Sequence, residues 1–102
     1  MQYNITTEGT ATVLHLSEQL VDADRAAFDT VLSRVLSSRP PRVIVDFSGL
    51  HYMDSAGLGL LLTLRERARA AGAEVVLRNP TGAVRDMLQL ARFDTLFSVV
   101  NA

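Results

Sequence analysis

Arg42-Val43-Ile44-Val45-Asp46-Phe47 is the segment that most restricts how this chain can fold. It is a short, nearly continuous apolar run, and it reads as a central strand buried on both faces. Helical patterns lie on either side of it. Before it, Phe28, Val31, Leu32 and Val35 recur at helical spacing within a helix expected from about Ala23 to Ser37. After it, Ser55 to about Ala71 forms a second helix, with Gly57, Leu61, Leu64 and Ala68 on one face. Strands that alternate with helices favour parallel pairing through crossover connections.

The remaining elements extend this pattern. Tyr3–Thr7 and Thr10–Leu16 read as two strands joined at Glu8-Gly9, an antiparallel hairpin. Asp22 is the expected N-cap of the first helix, and Pro40-Pro41 ends that helix because proline cannot continue the ladder. Gly72 is the expected residue just past the second helix. Glu74-Val75-Val76-Leu77 is a further strand. Asn79-Pro80 then opens a third helix, with Asn79 as its cap and Val84, Met87, Leu88 and Ala91 inside. Phe97 to Val100 fits a closing strand or an extended tail. The sheet is therefore expected to be mixed, in a single α/β domain spanning residues 1–102.

Composition excludes several chemistries. The 102 residues contain no cysteine, so disulfides, thiol catalysis and thiolate metal sites are ruled out. All ten basic residues are arginine, which removes the lysine of a P-loop, of a Schiff base or of a phospho-aspartate receiver. A net charge of −1 argues against nucleic acid as a direct partner. No apolar run approaches a membrane span, and Met1-Gln2-Tyr3-Asn4 has no secretion signal, so a cytoplasmic protein with no membrane partner is expected.

The informative segment is Met53-Asp54-Ser55-Ala56-Gly57, where a strand and its loop meet a helix start. Sites in parallel α/β sheets lie at the carboxyl ends of strands. A helix N-terminus offers unpaired N–H groups and partial positive charge, so a phosphate attached to Ser55 would be tolerated there. Ser55 as a plain helix cap is the other reading. Gly57 and Gly59 each cost roughly 1 kcal/mol relative to alanine inside a helix, which suggests a close approach to the backbone. Ser55, Leu58, Leu62, Glu66 and Arg69 lie toward a second side of the helix, with Arg65 between that side and the core. An apolar stripe with a charged rim suits a protein contact; cover by another part of the domain is the alternative.

Val43-Ile44-Val45-Asp46-Phe47-Ser48-Gly49-Leu50, followed by Tyr52-Met53-Asp54-Ser55-Ala56-Gly57-Leu58-Gly59, resembles the anti-sigma factor antagonists of the STAS domain family. Gly82, Val84, Leu88 and Phe93-Asp94…Phe97 resemble it too. The resemblance implies a mixed sheet with helices packed mainly on one side, and no catalytic activity or cofactor. It implies phosphorylation of Ser55 by an anti-sigma factor that is also a serine kinase, and resetting by a serine phosphatase. The unphosphorylated form would bind the kinase and so free a sigma factor. Asp46, Asp54, Gly57 and Asp22 would surround the phosphosite. Leu58, Gly59, Leu62, Arg65, Glu66 and Arg69 would meet the partner. The free protein is expected as a monomer or weak homodimer. The chain departs from the family at Glu18-Gln19-Leu20-Val21, where members usually have Gly-x-Leu-Asp.

Two other classes compete. As a nucleophile, Ser55 would need a base and an oxyanion hole, and its surroundings are not the Gly-x-Ser-x-Gly elbow. The only histidines are His15, expected in a strand, and His51, expected in a loop. Two histidines without cysteine do not suggest zinc. Asp46 and Asp54 without further ligands read better as a strand-end residue and a loop cap than as a magnesium site. The second class is a STAS scaffold or adaptor in another signalling or transport assembly, with no kinase cycle.

Overall fold

The computed structural model describes residues 1–101. The elements run β1 (Gln2–Glu8), β2 (Ala11–Leu20), a 3-10 turn (Asp22–Asp24), α1 (Arg25–Leu36), β3 (Arg42–Met53), α2 (Ser55–Ala70), β4 (Glu74–Arg78), α3 (Gly82–Leu90), a second 3-10 turn (Phe93–Thr95) and β5 (Ser98–Val100). The strands lie side by side in chain order. β1 and β2 are antiparallel, and the pairs β2–β3, β3–β4 and β4–β5 are parallel. This is the mixed α/β sheet expected, with the apolar run of β3 at its centre.

Strand alternation sorts the side chains onto two faces. Leu14 and Leu16, Val43, Val45 and Phe47, and Val75 and Leu77 form one cluster with Phe28, Val31, Leu32 and Val35 of α1. Leu60, Leu61, Leu64 and Ala68 of α2 and Val84 and Leu88 of α3 join the same cluster. All three helices therefore pack on one side of the sheet. The opposite face carries Ala11, Val13, Ile44 and Val76, together with His15, Asp46 and Arg78, which sit level with one another across β2, β3 and β4. Val13 is fully buried although no helix covers this face. Arg78 Nε donates to Asp46 Oδ2 at 2.8 Å, and its two terminal nitrogens grip the Glu8 carboxylate at 2.9 and 3.0 Å. A link from β4 to β1 has to cross β3 and β2, so this chain of ion pairs spans the helix-free face.

Several boundaries differ from the expectations. β2 and β3 continue to Leu20 and Met53, well past Leu16 and Phe47. Their polar outer halves stay paired through two register shifts, after His15 and after Glu18. Leu20, Leu50 and Met53 anchor them in the core, and that burial outweighs the polar composition. Asp22 does not cap α1. It opens the 3-10 turn, and the carboxylate that closes the turn belongs to Asp24, which accepts from the Val21 amide at 2.9 Å. Asn79-Pro80 does not open α3 either. Asn79 adopts a left-handed φ of 57° and its amide donates to Val100 O, so these residues make the turn out of β4. The cap position of α3 is Thr81, and Ala91 ends the helix exposed. α1 ends at Leu36, short of Pro40-Pro41, and the chain turns through Arg39 with a φ of 51°, whereas Gly72 follows α2 as expected with a φ of 78°.

Glu18 is one of four non-glycine residues in the left-handed region among the described residues, with a φ of 69°. That region costs an L-residue about 1–2 kcal/mol. It is also the position where the resembled family carries glycine. Glu18→Gly is expected to raise stability by about 1 kcal/mol, after allowing for the greater freedom of glycine in the unfolded chain. A chemical denaturation series reads this directly; a loss of stability would contradict it.

Candidate functional site

Four segments converge at the start of α2. The Asp54 amide donates to Leu20 O at 3.4 Å, tying the end of β3 to the end of β2. Asp54 is extended and is the N-cap of α2, accepting from the Gly57 amide on Oδ1 at 3.0 Å. Its Oδ2 accepts from the Asp22 amide at 3.4 Å. The cap is therefore Asp54, and Ser55 is the first helical residue. Its side chain is exposed, and its hydroxyl makes no hydrogen bond with another described residue. Ser55 and Ala56 amides remain at the open helix end, because Asp54 answers those of Gly57 and Leu58.

Gly57 is set by packing inside the chain. A Cβ there would lie 2.6 Å from Leu20 O and would overlap Met53 Cγ. Gly59 is different: a Cβ there would meet nothing within 4 Å. No contact within the chain requires glycine at that position.

The outer side of α2 carries Ser55, Leu62, Glu66 and Arg69, all exposed, with Gly59 half-exposed among them. Leu58 is half-buried against the core at the border of this side. Arg65 is turned away from it, with Nε donating to Leu96 O at 3.0 Å. Arg67 faces the other way and binds Asp29 and Ser33 of α1. Leu62 is thus open to a partner, while Leu58 and Arg65 form the edge of the surface.

Asp22 lies beside the helix start through its amide, and its carboxylate pairs with Arg25 at 3.0 Å. Asp46 does not belong to the surroundings of Ser55. It lies seven residues before Met53 on β3, roughly 20 Å at the rise of a strand, and points to the helix-free face. Burial pushes its carboxyl up, but hydrogen bonds from Ser48 and Arg78 outweigh this and the net direction is down. Val21 places no carboxylate at the site. Tyr52, exposed three residues before Ser55, was not among the expected site residues. Its signal was present in the alternation of β3, where Met53 points inward and its neighbour must point out.

His15 Nε2 lies 2.9 Å from Thr6 Oγ1 on the helix-free face, and His51 is exposed. Among the described residues, no group of three or more His, Asp or Glu side chains is placed to hold a metal ion. No helix of the described residues is long and apolar enough to cross a membrane.

A mixed five-stranded sheet with helices on one face, and an exposed serine opening the helix after its central strand, define a STAS-type domain. Residues 3–100 match the family described as Mlab, STAS domain, and the chain belongs to that family. It is 38% identical over 60 residues to a STAS-domain containing protein of Pseudomonas aeruginosa, covering 59% of each chain. It is 33% identical over 61 residues to BtrV of Bordetella bronchiseptica, named as a candidate anti-sigma factor antagonist, covering 60% of this chain and 53% of that one. The matched region thus spans a little over half the length of these relatives. The fold is that of the anti-sigma factor antagonist SpoIIAA. In its unphosphorylated form, SpoIIAA superposes with a TM-score of 0.73 at 20% identity, over 99% of this chain and 89% of that one. The phosphorylated Bacillus form gives 0.69 at 22% identity, over 99% and 91%.

Proposed function

We propose that this chain is a partner-switching anti-sigma factor antagonist controlled by phosphorylation of Ser55. The unphosphorylated domain binds an anti-sigma factor that is also a serine kinase, and a serine phosphatase restores that form after phosphorylation. The observation that carries this reading is the exposed, unbonded Ser55 hydroxyl at the open end of α2, in line with the exposed Leu62. SpoIIAA, which shares the fold, exists in both phosphorylated and unphosphorylated forms.

The switch needs no refolding. A phosphate adds about −1.5 to −2 charges at pH 7. In the free domain it faces solvent and the helix N-terminus, which offsets part of the repulsion from Asp54 by about 0.3–1 kcal/mol. Against a partner packed over Leu62 it would have to be desolvated. Driving such an equilibrium from one side to the other takes about 5.5 kcal/mol of differential affinity. Ser55→Ala should hold the kinase irrespective of ATP, and Ser55→Asp should bind at least tenfold more weakly than wild type. Calorimetry with the purified kinase measures both, and mass spectrometry after incubation with ATP locates the phosphate. Equal affinity of wild type and Ser55→Asp would sink the model.

Val21 favours a second reading, because the family pattern has a carboxylate there. In that reading the domain is a STAS scaffold or adaptor without a kinase cycle. An assembly that retains Ser55→Asp, together with unmodified Ser55 in the native protein, would identify it.

A further inference from the structure

The far edge of the sheet, opposite β1, carries a second surface that the Ser55 switch does not use. β5 is the outermost strand, so among the described residues one of its edges is unpaired. Native proteins usually blunt such an edge by keeping it very short or with charge, proline or a covering segment; β5 is short, at three residues, but carries no charge or proline. Here the edge is Ser98-Val99-Val100, all exposed, and Leu96 just before it is exposed too. A groove of about 770 Å³ runs between this strand and α3. Val99 and Leu90, the latter 87% exposed, line it together with Arg85 and Arg92. Arg85 and Arg92 form no ion pair with any described residue. Asp94 is the one carboxylate lining the groove.

We infer that this edge docks an extended acidic segment of a partner protein by strand addition. The open edge supplies main-chain hydrogen bonds, and Val99 and Leu90 supply an apolar seat for alternate side chains. The guanidinium groups select glutamate or aspartate on that segment. Charge argues against a second copy of this chain as the occupant. Pairing β5 with itself about a twofold axis would bring like sets of arginines together, whereas an acidic strand neutralises them. The inference is independent of the phosphorylation switch, since none of these residues borders Ser55.

The test is a titration of the full chain with capped hexapeptides, followed by two-dimensional amide NMR. One peptide alternates glutamate and valine, a second glutamine and valine, and a third lysine and valine. The glutamate peptide should shift the amides of Val99, Val100 and Asn101 and the side-chain Nε–H signals of Arg85 and Arg92. The glutamine peptide should bind about tenfold more weakly, as expected for the loss of two exposed ion pairs, and the lysine peptide should not bind. Arg85→Gln combined with Arg92→Gln should cause the same loss for the glutamate peptide, with an unchanged melting temperature. Equal binding of all three peptides, shifts centred elsewhere, or no binding at millimolar peptide would overturn the inference. So would concentration-dependent shifts at β5 without peptide, which would assign the edge to a second copy.

Discussion

Replacing Arg78 by methionine is expected to destabilise the domain by about 3 kcal/mol, the lower end of the range for removing one partner of a buried ion pair. That corresponds to a fall in melting temperature of roughly 12–24 °C for a domain of this size. Methionine keeps an apolar side chain of similar length, so the loss chiefly reports the charge. Asp46 is 5% exposed and would be left with only Ser48 as a partner. The pH dependence separates this cause from packing. In the native domain the Asp46 pKa is lowered, so its contribution is complete above the unfolded value near pH 4 and fades as pH falls through the folded value. Without Arg78 the burial that pushes the carboxyl up is opposed only by Ser48. The deficit of Arg78→Met should therefore be greatest at neutral pH and shrink on acidification. Adding Asp46→Asn should recover part of the loss at pH 7. A deficit that stays constant from pH 7 to pH 3 would assign the effect to packing.

This link also explains what the sequence alone could and could not reveal. The burial of Val43, Val45 and Phe47 was legible from the apolar run, and β3 is the central strand. The ion-pair link across its second face was not legible, because it depends on Glu8, Asp46 and Arg78 meeting from three distant positions. Nothing local marks Arg78 among ten arginines. The side of the strand on which Asp46 lies was open to inference, since Val43, Val45 and Phe47 share one face and Asp46 must take the other. Following the family motif along the chain instead assigned it to Ser55. The helix stripes of α1 and α2 were readable because apolar spacing there is strong. The outer halves of β2 and β3 were not, because Ser17-Glu18-Gln19 and Ser48 look like loop residues until Leu20, Leu50 and Met53 are seen anchoring them. At the candidate site, Ser55 was singled out by its position between strand and helix. That Asp54 rather than Ser55 is the cap required the structure.

The two glycines of α2 should respond to alanine with opposite signs, and the contrast bears on how the helix serves the site. At Gly57 the new methyl would meet Leu20 O at 2.6 Å, a backbone atom that can move only if β2 moves. The helix start would have to lift from the strand ends, stretching the Asp54 bond to the Gly57 amide. Overpacking of this kind costs about 1–3 kcal/mol, and relief from glycine's helix penalty recovers only about 1. Gly57→Ala is therefore expected to lose about 2 kcal/mol at most, and Gly57→Val more, since a branched side chain cannot share the space with Met53. At Gly59 the methyl enters open space, so Gly59→Ala should gain about 0.8–1 kcal/mol. Urea denaturation of the two single variants measures both. If both alanines stabilise, the close contact of α2 with Leu20 is not rigid. Gly59→Ala then becomes a probe of the outer helix face, because it changes that face without weakening the fold. Should this variant bind a partner less tightly while melting higher, the missing side chain at residue 59 would reflect close approach by that partner alongside Ser55 and Leu62.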